Sequence, residues 1–172
     1  MQEIILESAD FNDAITRMSR QIFDDNKNIK NLAVIGIHGK GVVLAKRIID
    51  KIVKLAKDDL LKIPFGTLDI TLYRDDIYKR GADIPLIKET AIPFEINEKN
   101  IILVDDVLYT GRTVRAALDV LMDFGRPRSI KLAVLVDRGH RELPIEANFT
   151  GIKYPTKQLV KVDYDKNIVV KI

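Results

Sequence analysis

Ile101-Ile102-Leu103-Val104-Asp105-Asp106-Val107-Leu108-Tyr109-Thr110-Gly111-Arg112-Thr113 is the stretch from which the rest of the 172-residue chain is best read. Its four leading apolar residues predict a buried strand, and two adjacent carboxylates stand where that strand is expected to end. A short Thr-Gly-Arg-Thr loop follows. Val114, Ala117, Leu118 and Leu121 then recur at helical spacing until Gly125 and Pro127 stop the run. Amides at a helix N-terminus carry partial positive charge, so such a loop can hold a phosphate. Gly111 permits close backbone approach or a positive φ. Thr110 and Thr113 add hydroxyl donors, and Arg112 adds charge. Carboxylates cannot hold a phosphate, but they accept hydrogen bonds from hydroxyls. A ligand with a diol at one end and a phosphate at the other, a phosphorylated sugar, satisfies both halves.

Working outward, the length suits one domain, residues 1–172, with a sizeable core. Apolar residues make up 47% and charged residues 31%, an ordinary balance for a soluble globular chain. With no cysteine, disulfides, thiolate metal sites and a cysteine nucleophile are excluded. No apolar stretch reaches the roughly 18 residues of a membrane span, so no membrane partner and a cytoplasmic location are expected. The net charge of +3 does not by itself imply a nucleic-acid partner.

Phe11, Ile15, Met18 and Ile22 form the apolar stripe of a first helix, with Thr16 and Arg20 opposite it and Arg17 to one side. Residues 31–37 predict a buried strand, broken by His38-Gly39-Lys40-Gly41. A helix through Val42, Ala45, Ile48, Ile49, Ile52 and Leu55 follows, again an anion-binding layout. Alternation from Thr67 to Leu72 predicts a half-buried strand, and the polar segment from Tyr73 to Asp83 a mobile loop. A returning edge strand is expected near Glu89 to Ile96, interrupted by Pro93. Ile130 to Val136 is the most apolar strand, and its end at Asp137-Arg138 is a candidate site wall. The tail around Asp165-Lys166-Asn167 predicts a hairpin. The alternation of strands and helices argues for an α/β fold with a mostly parallel central sheet flanked by helices.

The opening stretch closely resembles the phosphoribosyl diphosphate (PRPP) signature of type I phosphoribosyltransferases. The chain as a whole resembles the bacterial family of pyrimidine-operon attenuation regulators that are also uracil phosphoribosyltransferases. That closer likeness lies in residues 69–76, 104–115 and 125–127 and, above all, in the run from Leu132 to Ile145 containing Asp-Arg-Gly-His-Arg-Glu-Leu-Pro. Leu44 to Arg47 and Pro155-Thr156 add to it. It implies the type I phosphoribosyltransferase fold with a small hood, and the reaction of uracil with PRPP to UMP and diphosphate. Magnesium would enter with PRPP, with no direct protein ligand. Asp105 and Asp106 would hold the ribose hydroxyls, and Thr110, Gly111, Arg112 and Thr113 the 5-phosphate, with Tyr109 beside them among the nucleotide-binding residues. Lys40 and Gly41 would sit in the diphosphate loop, and Arg74 would close over the diphosphate as a catalytic residue beside the acid pair. Val136, Asp137 and Arg138 would present backbone groups to the uracil.

At Gly39-Lys40 the chain departs from the family's usual Thr-Arg pair, and His38 replaces a residue that is often lysine. Lysine keeps the charge of arginine but lacks its bidentate fork, a change that bears on catalysis more than on nucleotide binding.

The same resemblance implies binding to the messenger leader of a pyrimidine operon, promoting transcription attenuation with UMP or UTP as co-regulator. Thr16, Arg17, Arg20, Arg138, His140, Arg141, Lys153, Thr156 and Lys157 are the implied RNA contacts. A homo-oligomer, dimer or larger, is also implied. The alternative is a phosphoribosyltransferase for uracil or a purine base without RNA regulation.

Overall fold

The computed structural model describes residues 3–73 and 88–172. Among them the elements run β1 (Glu3–Leu6), α1 (Ser8–Asp25), β2 (Leu32–Ile37), α2 (Lys40–Ala56), β3 (Phe65–Leu68), β4 (Asn100–Leu108), α3 (Arg112–Asp123), β5 (Ser129–Asp137), β6 (Phe149–Lys153), β7 (Val160–Asp163) and β8 (Ile168–Lys171). Five strands form one sheet in the order β3-β2-β4-β5-β6, every pairing parallel. A second sheet, β1-β8-β7, is antiparallel. No helix among the described residues is long and apolar enough to cross a membrane.

The parallel sheet is buried on both faces, which explains why its strands read as continuous apolar runs. Strand residues alternate between faces. Leu32 and Val34, Ile102 and Val104, and Ala133 and Leu135 join one core with α1, α2 and the antiparallel sheet. Ala33, Ile35 and Ile37, Ile101 and Leu103, and Leu132 and Val134 join the other, against α3. Each fully buried leucine or isoleucine contributes roughly 1.5–3 kcal/mol. The predicted stripe of α1 is buried as expected, and Asn26 ends the helix, its side-chain amide donating to the Ile22 carbonyl at 2.7 Å and its backbone N–H to that of Phe23 at 3.2 Å.

Several expectations are corrected. β4 does not end before the acid pair: it runs through Asp105 and Asp106 to Leu108, since β5 keeps pairing with it as far as Asp137. The strand expected over 67–72 lies earlier, as β3. The Asp69 carboxylate then accepts from the Thr71 amide at 2.9 Å and hydroxyl at 2.6 Å, winding residues 71–73 into a 3-10 turn. The returning strand near 89–96 reduces to one antiparallel bridge between Thr67 and Ala91. β1 and β6 were not anticipated from the sequence pattern. The C-terminal hairpin forms as expected, but with β1 added as a third strand it makes the small hood.

Two close approaches fix the site end of the sheet. A Cβ on Gly41 would lie 2.6 Å from the Val104 carbonyl oxygen, so only glycine lets the first turn of α2 press against β4 just before the acids. Gly41→Ala is therefore expected to cost about 1–3 kcal/mol of unfolding free energy in a denaturant titration. Arg47 of α2 holds the hairpin turn, donating to the Asn167 side chain at 2.5 Å and the Tyr164 carbonyl at 2.7 Å.

Candidate active site

β2 stays paired with β4 only as far as Gly36 opposite Val104, and the chain then turns off into α2. The β4 edge beyond Val104 is left open on that side while β5 continues to cover the other. The strand order reverses at this point, with β2 neighbouring β3 on one side and β4 on the other, and ligands bind at such a switch. An open cleft of about 350 Å³ lies here, lined by Ile37, His38, Asp69, Ile70, Thr71, Lys88, Asp105, Asp106, Val107 and Thr113. Asp105 is buried and Asp106 half-buried, and the Asp105 carboxylate accepts from the Asp106 amide at 2.8 Å.

Helices begin at both ends of the cleft, and each is preceded by a glycine that has no side chain to cap it. Gly39 stands before α2 with φ 100°, and Gly111 before α3 with φ 93°. The first-turn amides of such helices lack intrahelical acceptors and suit an anion. A Cβ at Gly111 would come within 3.3 Å of Ile145, so the 110–113 loop is also pressed against the 142–145 segment. The Thr110 carbonyl accepts from the amides of Glu142 and Leu143, and Arg112 pairs with Glu142 at 2.6 Å.

On the β3 side Asp69 is a hub. Besides the bonds from Thr71 it accepts from the Lys88 amide at 2.6 Å, and its own amide donates to the Thr90 hydroxyl. Burial disfavours its charged form, but the bonds from Thr71 and Lys88 and the nearby His38 outweigh burial, so the carboxyl lies below its ordinary value. The His38 ring donates through Nε2 to the Glu89 carbonyl at 2.7 Å.

Not every expected residue faces this cleft. The Lys40 ammonium turns away and donates to the Val162 carbonyl of β7. It borders a separate cavity of about 540 Å³ under the hairpin. Gly41 is packed on β4. Arg74 lies outside the described residues. Polar cleft members to which the sequence reading gave no site role are His38, noted there only as a departure from the family, and Asp69, Thr71 and Lys88. The available signal was position, since each follows a strand end or returns beside one.

At the far end of β5, the backbone of Arg138 is already engaged: its amide donates to the Leu108 carbonyl at 2.8 Å and its carbonyl accepts from Thr156 at 3.0 Å. The buried Arg138 guanidinium stacks 3.9 Å from the Tyr109 ring and donates to the Lys157 carbonyl. Burial pulls that guanidinium below its ordinary value, with Tyr109 opposing. Exposed His140, at φ 56°, sets its ring edge-on to Tyr109 at 6.2 Å. Arg141 is turned inward, with Nη2 donating to both oxygens of Asp137 at 2.7 Å, Nη1 to the carbonyls of Tyr109 and Gly139, and Nε to that of Ile145. Its guanidinium is thus committed within the chain, unlike the exposed side chain of His140 beside it.

The other basic candidates come together. Arg17 of α1 donates to the Gly151 carbonyl of β6, with Thr16 and Arg20 exposed along the same helix. Lys153 and Lys157 are exposed and Thr156 partly so. The Tyr154 amide donates to the Asp137 carbonyl at 2.8 Å, which ties this segment to the end of β5. A Cβ on Gly139 would lie 3.6 Å from Pro155, so the 138–145 loop and the 153–157 segment adjoin.

Residues 1–166 match the family described as the phosphoribosyl transferase domain. The chain is 64% identical over 163 residues to the Bifunctional protein PyrR of Endomicrobium trichonymphae, covering 95% of this chain and 92% of that protein. It is 52% identical over 160 residues to the Bifunctional protein PyrR of Deinococcus radiodurans, covering 92% and 85%. Among solved structures, a hypoxanthine-guanine phosphoribosyltransferase of Bacillus anthracis superposes with a TM-score of 0.77 at 19% identity, covering 99% and 98% of the two chains. The hypoxanthine phosphoribosyltransferase of Trypanosoma cruzi gives 0.75 at 17%, covering 98% and 95%. These two likenesses establish the type I phosphoribosyltransferase fold.

Proposed function

The chain belongs to the phosphoribosyl transferase family, and from that premise we propose that it transfers a phosphoribosyl group from PRPP to uracil and also regulates a pyrimidine operon by binding its messenger leader. The observation that carries the transferase half is the pairing of Asp105 and Asp106, on the open edge of β4, with the glycine-started turn of α3 across one cleft. The carboxylates accept the ribose hydroxyls, and the amides and hydroxyls of 110–113 hold the 5-phosphate. As the bond to diphosphate breaks, positive charge grows on the ribose ring, where Asp105 and Asp106 stabilise it electrostatically. The open, oxygen-rich cleft fits a hard cation carried on diphosphate oxygens. Magnesium supplies charge neutralisation of the leaving group when bound. Val136, Asp137 and Arg138 form the wall for the base through the stacked Tyr109–Arg138 pair.

The regulatory half rests on the names of the relatives and on one contact chain. Tyr109 adjoins the phosphate loop and touches both Arg138 and His140, so a nucleotide in the cleft and an RNA loop on the adjoining surface share one residue. Thr16, Arg17, Arg20, His140, Lys153, Thr156 and Lys157 supply the donors that a folded single-stranded loop requires.

Two assays test the reading. UMP formation from uracil and PRPP is expected with magnesium, and its absence at every magnesium concentration overturns the transferase half. Arg20→Ala is expected to leave turnover intact and to weaken binding to a pyrimidine-leader hairpin, lowering the salt slope by about one. Hairpin affinity that is the same with and without UMP overturns the regulatory half.

A further inference from the structure

We propose that Lys88 is a cation that meets the diphosphate end of PRPP, and that Asp69 is a positioning residue which sets Lys88 there. The inference rests on the transferase reading for the orientation of the ligand. With the ribose on Asp105 and Asp106 and the 5-phosphate at the α3 turn, the diphosphate end faces the β2 and β3 side of the cleft. That side is lined by Ile37, His38, Asp69, Ile70, Thr71 and Lys88. Among the described residues Lys88 is the only lysine or arginine that borders the cleft, and its exposed side chain makes no ion pair with them. Asp105 and Asp106 make the ribose wall negative, so the most highly charged part of the ligand needs a positive partner on the opposite wall. An ammonium serves there as a point charge on phosphate.

The segment that carries Lys88 forms no strand, only the bridge between Thr67 and Ala91. It is nevertheless tied down at four successive residues. The Lys88 amide donates to Asp69 Oδ2 at 2.6 Å, and the Glu89 carbonyl accepts from the His38 ring at 2.7 Å. The Thr90 hydroxyl accepts from the Asp69 amide at 3.0 Å, and Ala91 exchanges backbone bonds with Thr67 at 2.8 and 2.9 Å. His38 is itself anchored, its amide donating to the Leu68 carbonyl at 2.9 Å. The other Asp69 oxygen, Oδ1, accepts from the Thr71 amide at 2.9 Å and the Thr71 hydroxyl at 2.6 Å. One carboxylate thus fastens the chain just after β3 to the chain that returns beside it. Asp69 borders the cleft, yet each of its oxygens is engaged by donors of its own chain, so it acts through what it holds. Fixing four consecutive residues outside any strand costs conformational entropy that a plain connection need not bear. What the fastening determines is where the first of them, Lys88, stands at the cleft.

The test titrates inorganic diphosphate with magnesium calorimetrically into the full chain and its variants, with UMP as the control ligand. Lys88→Met is expected to weaken diphosphate about tenfold, the size of one charge-assisted contact, and Asp69→Asn about three- to fivefold. In the second variant the side-chain oxygen still accepts from Thr71, but the new nitrogen meets the Lys88 amide donor to donor. Combining the two is expected to weaken binding by no more than about twofold beyond Lys88→Met alone, whereas independent effects would multiply to roughly thirty- to fiftyfold. UMP, which lacks the diphosphate, is expected to bind all four proteins alike, which a loosened fold would not allow. A parent that binds no diphosphate, or a Lys88→Met protein that binds it like the parent, overturns the proposal. Effects that multiply in the double variant, or UMP weakened in step with diphosphate, overturn the positioning role of Asp69. A parent that shows the expected diphosphate pattern but forms no UMP from uracil and PRPP overturns the transferase reading and leaves the anion site standing.

Discussion

Asp106→Asn lowers kcat for UMP formation by about 10²–10³ and leaves the melting temperature nearly unchanged. The magnitude is that of removing one preorganised charge from the place where charge develops in a transition state. Asp106 is half-buried, and its amide, not its carboxylate, takes part in the bond to Asp105, so an isosteric amide side chain disturbs no internal hydrogen bond that the structure shows. On the proposed function, what is lost is an anionic acceptor for a ribose hydroxyl and a negative charge beside the anomeric carbon. The first loss also weakens UMP by roughly tenfold, the difference between a charged and a neutral acceptor. Because the second loss is felt only as the bond to diphosphate breaks, kcat falls further than ground-state affinity does. Steady-state kinetics with calorimetric UMP binding separate the two. Equal reductions in kcat and UMP affinity would mean that Asp106 only holds the sugar, and an unaltered kcat would remove the acid pair from the reaction.

The acid pair and the Thr110 to Thr113 turn were legible because each part of that stretch has a local signature: an apolar run, two adjacent acids, a glycine and a helical period. The parallel sheet was legible for the same reason, since Ile101 to Val104 and Ile130 to Val136 are apolar on both faces. What failed to show was decided by distant partners. β4 runs past Asp106 only because β5 pairs with it, and nothing between residues 101 and 108 records that. β1 is four residues long and exists as a strand because β8 lies beside it. Lys40 sits in a glycine-flanked turn that resembles a phosphate loop, yet the Val162 carbonyl, more than a hundred residues later, determines where its ammonium points. His38 drew notice only as a departure from the family, and its place in the cleft follows from the Leu68 and Glu89 carbonyls. A basic residue in a basic run looks the same whether it faces solvent or braces a loop.

Arg141 is the sharpest instance of that last ambiguity. The resemblance places it among RNA contacts, but all of its guanidinium nitrogens donate inward, to Asp137, Gly139, Tyr109 and Ile145. The Asp137 side chain is 10% exposed and that of Arg141 21%, so the pair is largely removed from water. Taking away one partner of such a pair leaves a buried charge uncompensated, and Arg141→Ala is expected to cost about 3–5 kcal/mol in a denaturant titration. Arg141→Lys recovers little, because a single ammonium cannot span the carboxylate and three carbonyls that the fork reaches. Adding Asp137→Ala to Arg141→Ala restores part of the loss, since the stranded carboxylate is then gone, and the two substitutions are strongly non-additive. The consequence for function follows from the Tyr109 carbonyl, which Arg141 ties down at 2.9 Å one residue before the phosphate loop. UMP affinity should therefore fall along with stability, and RNA binding should fall only as a result of both. If Arg141→Ala instead melts like the parent, binds UMP normally and loses only the hairpin, the inward fork is not maintained in solution and Arg141 belongs to the RNA surface.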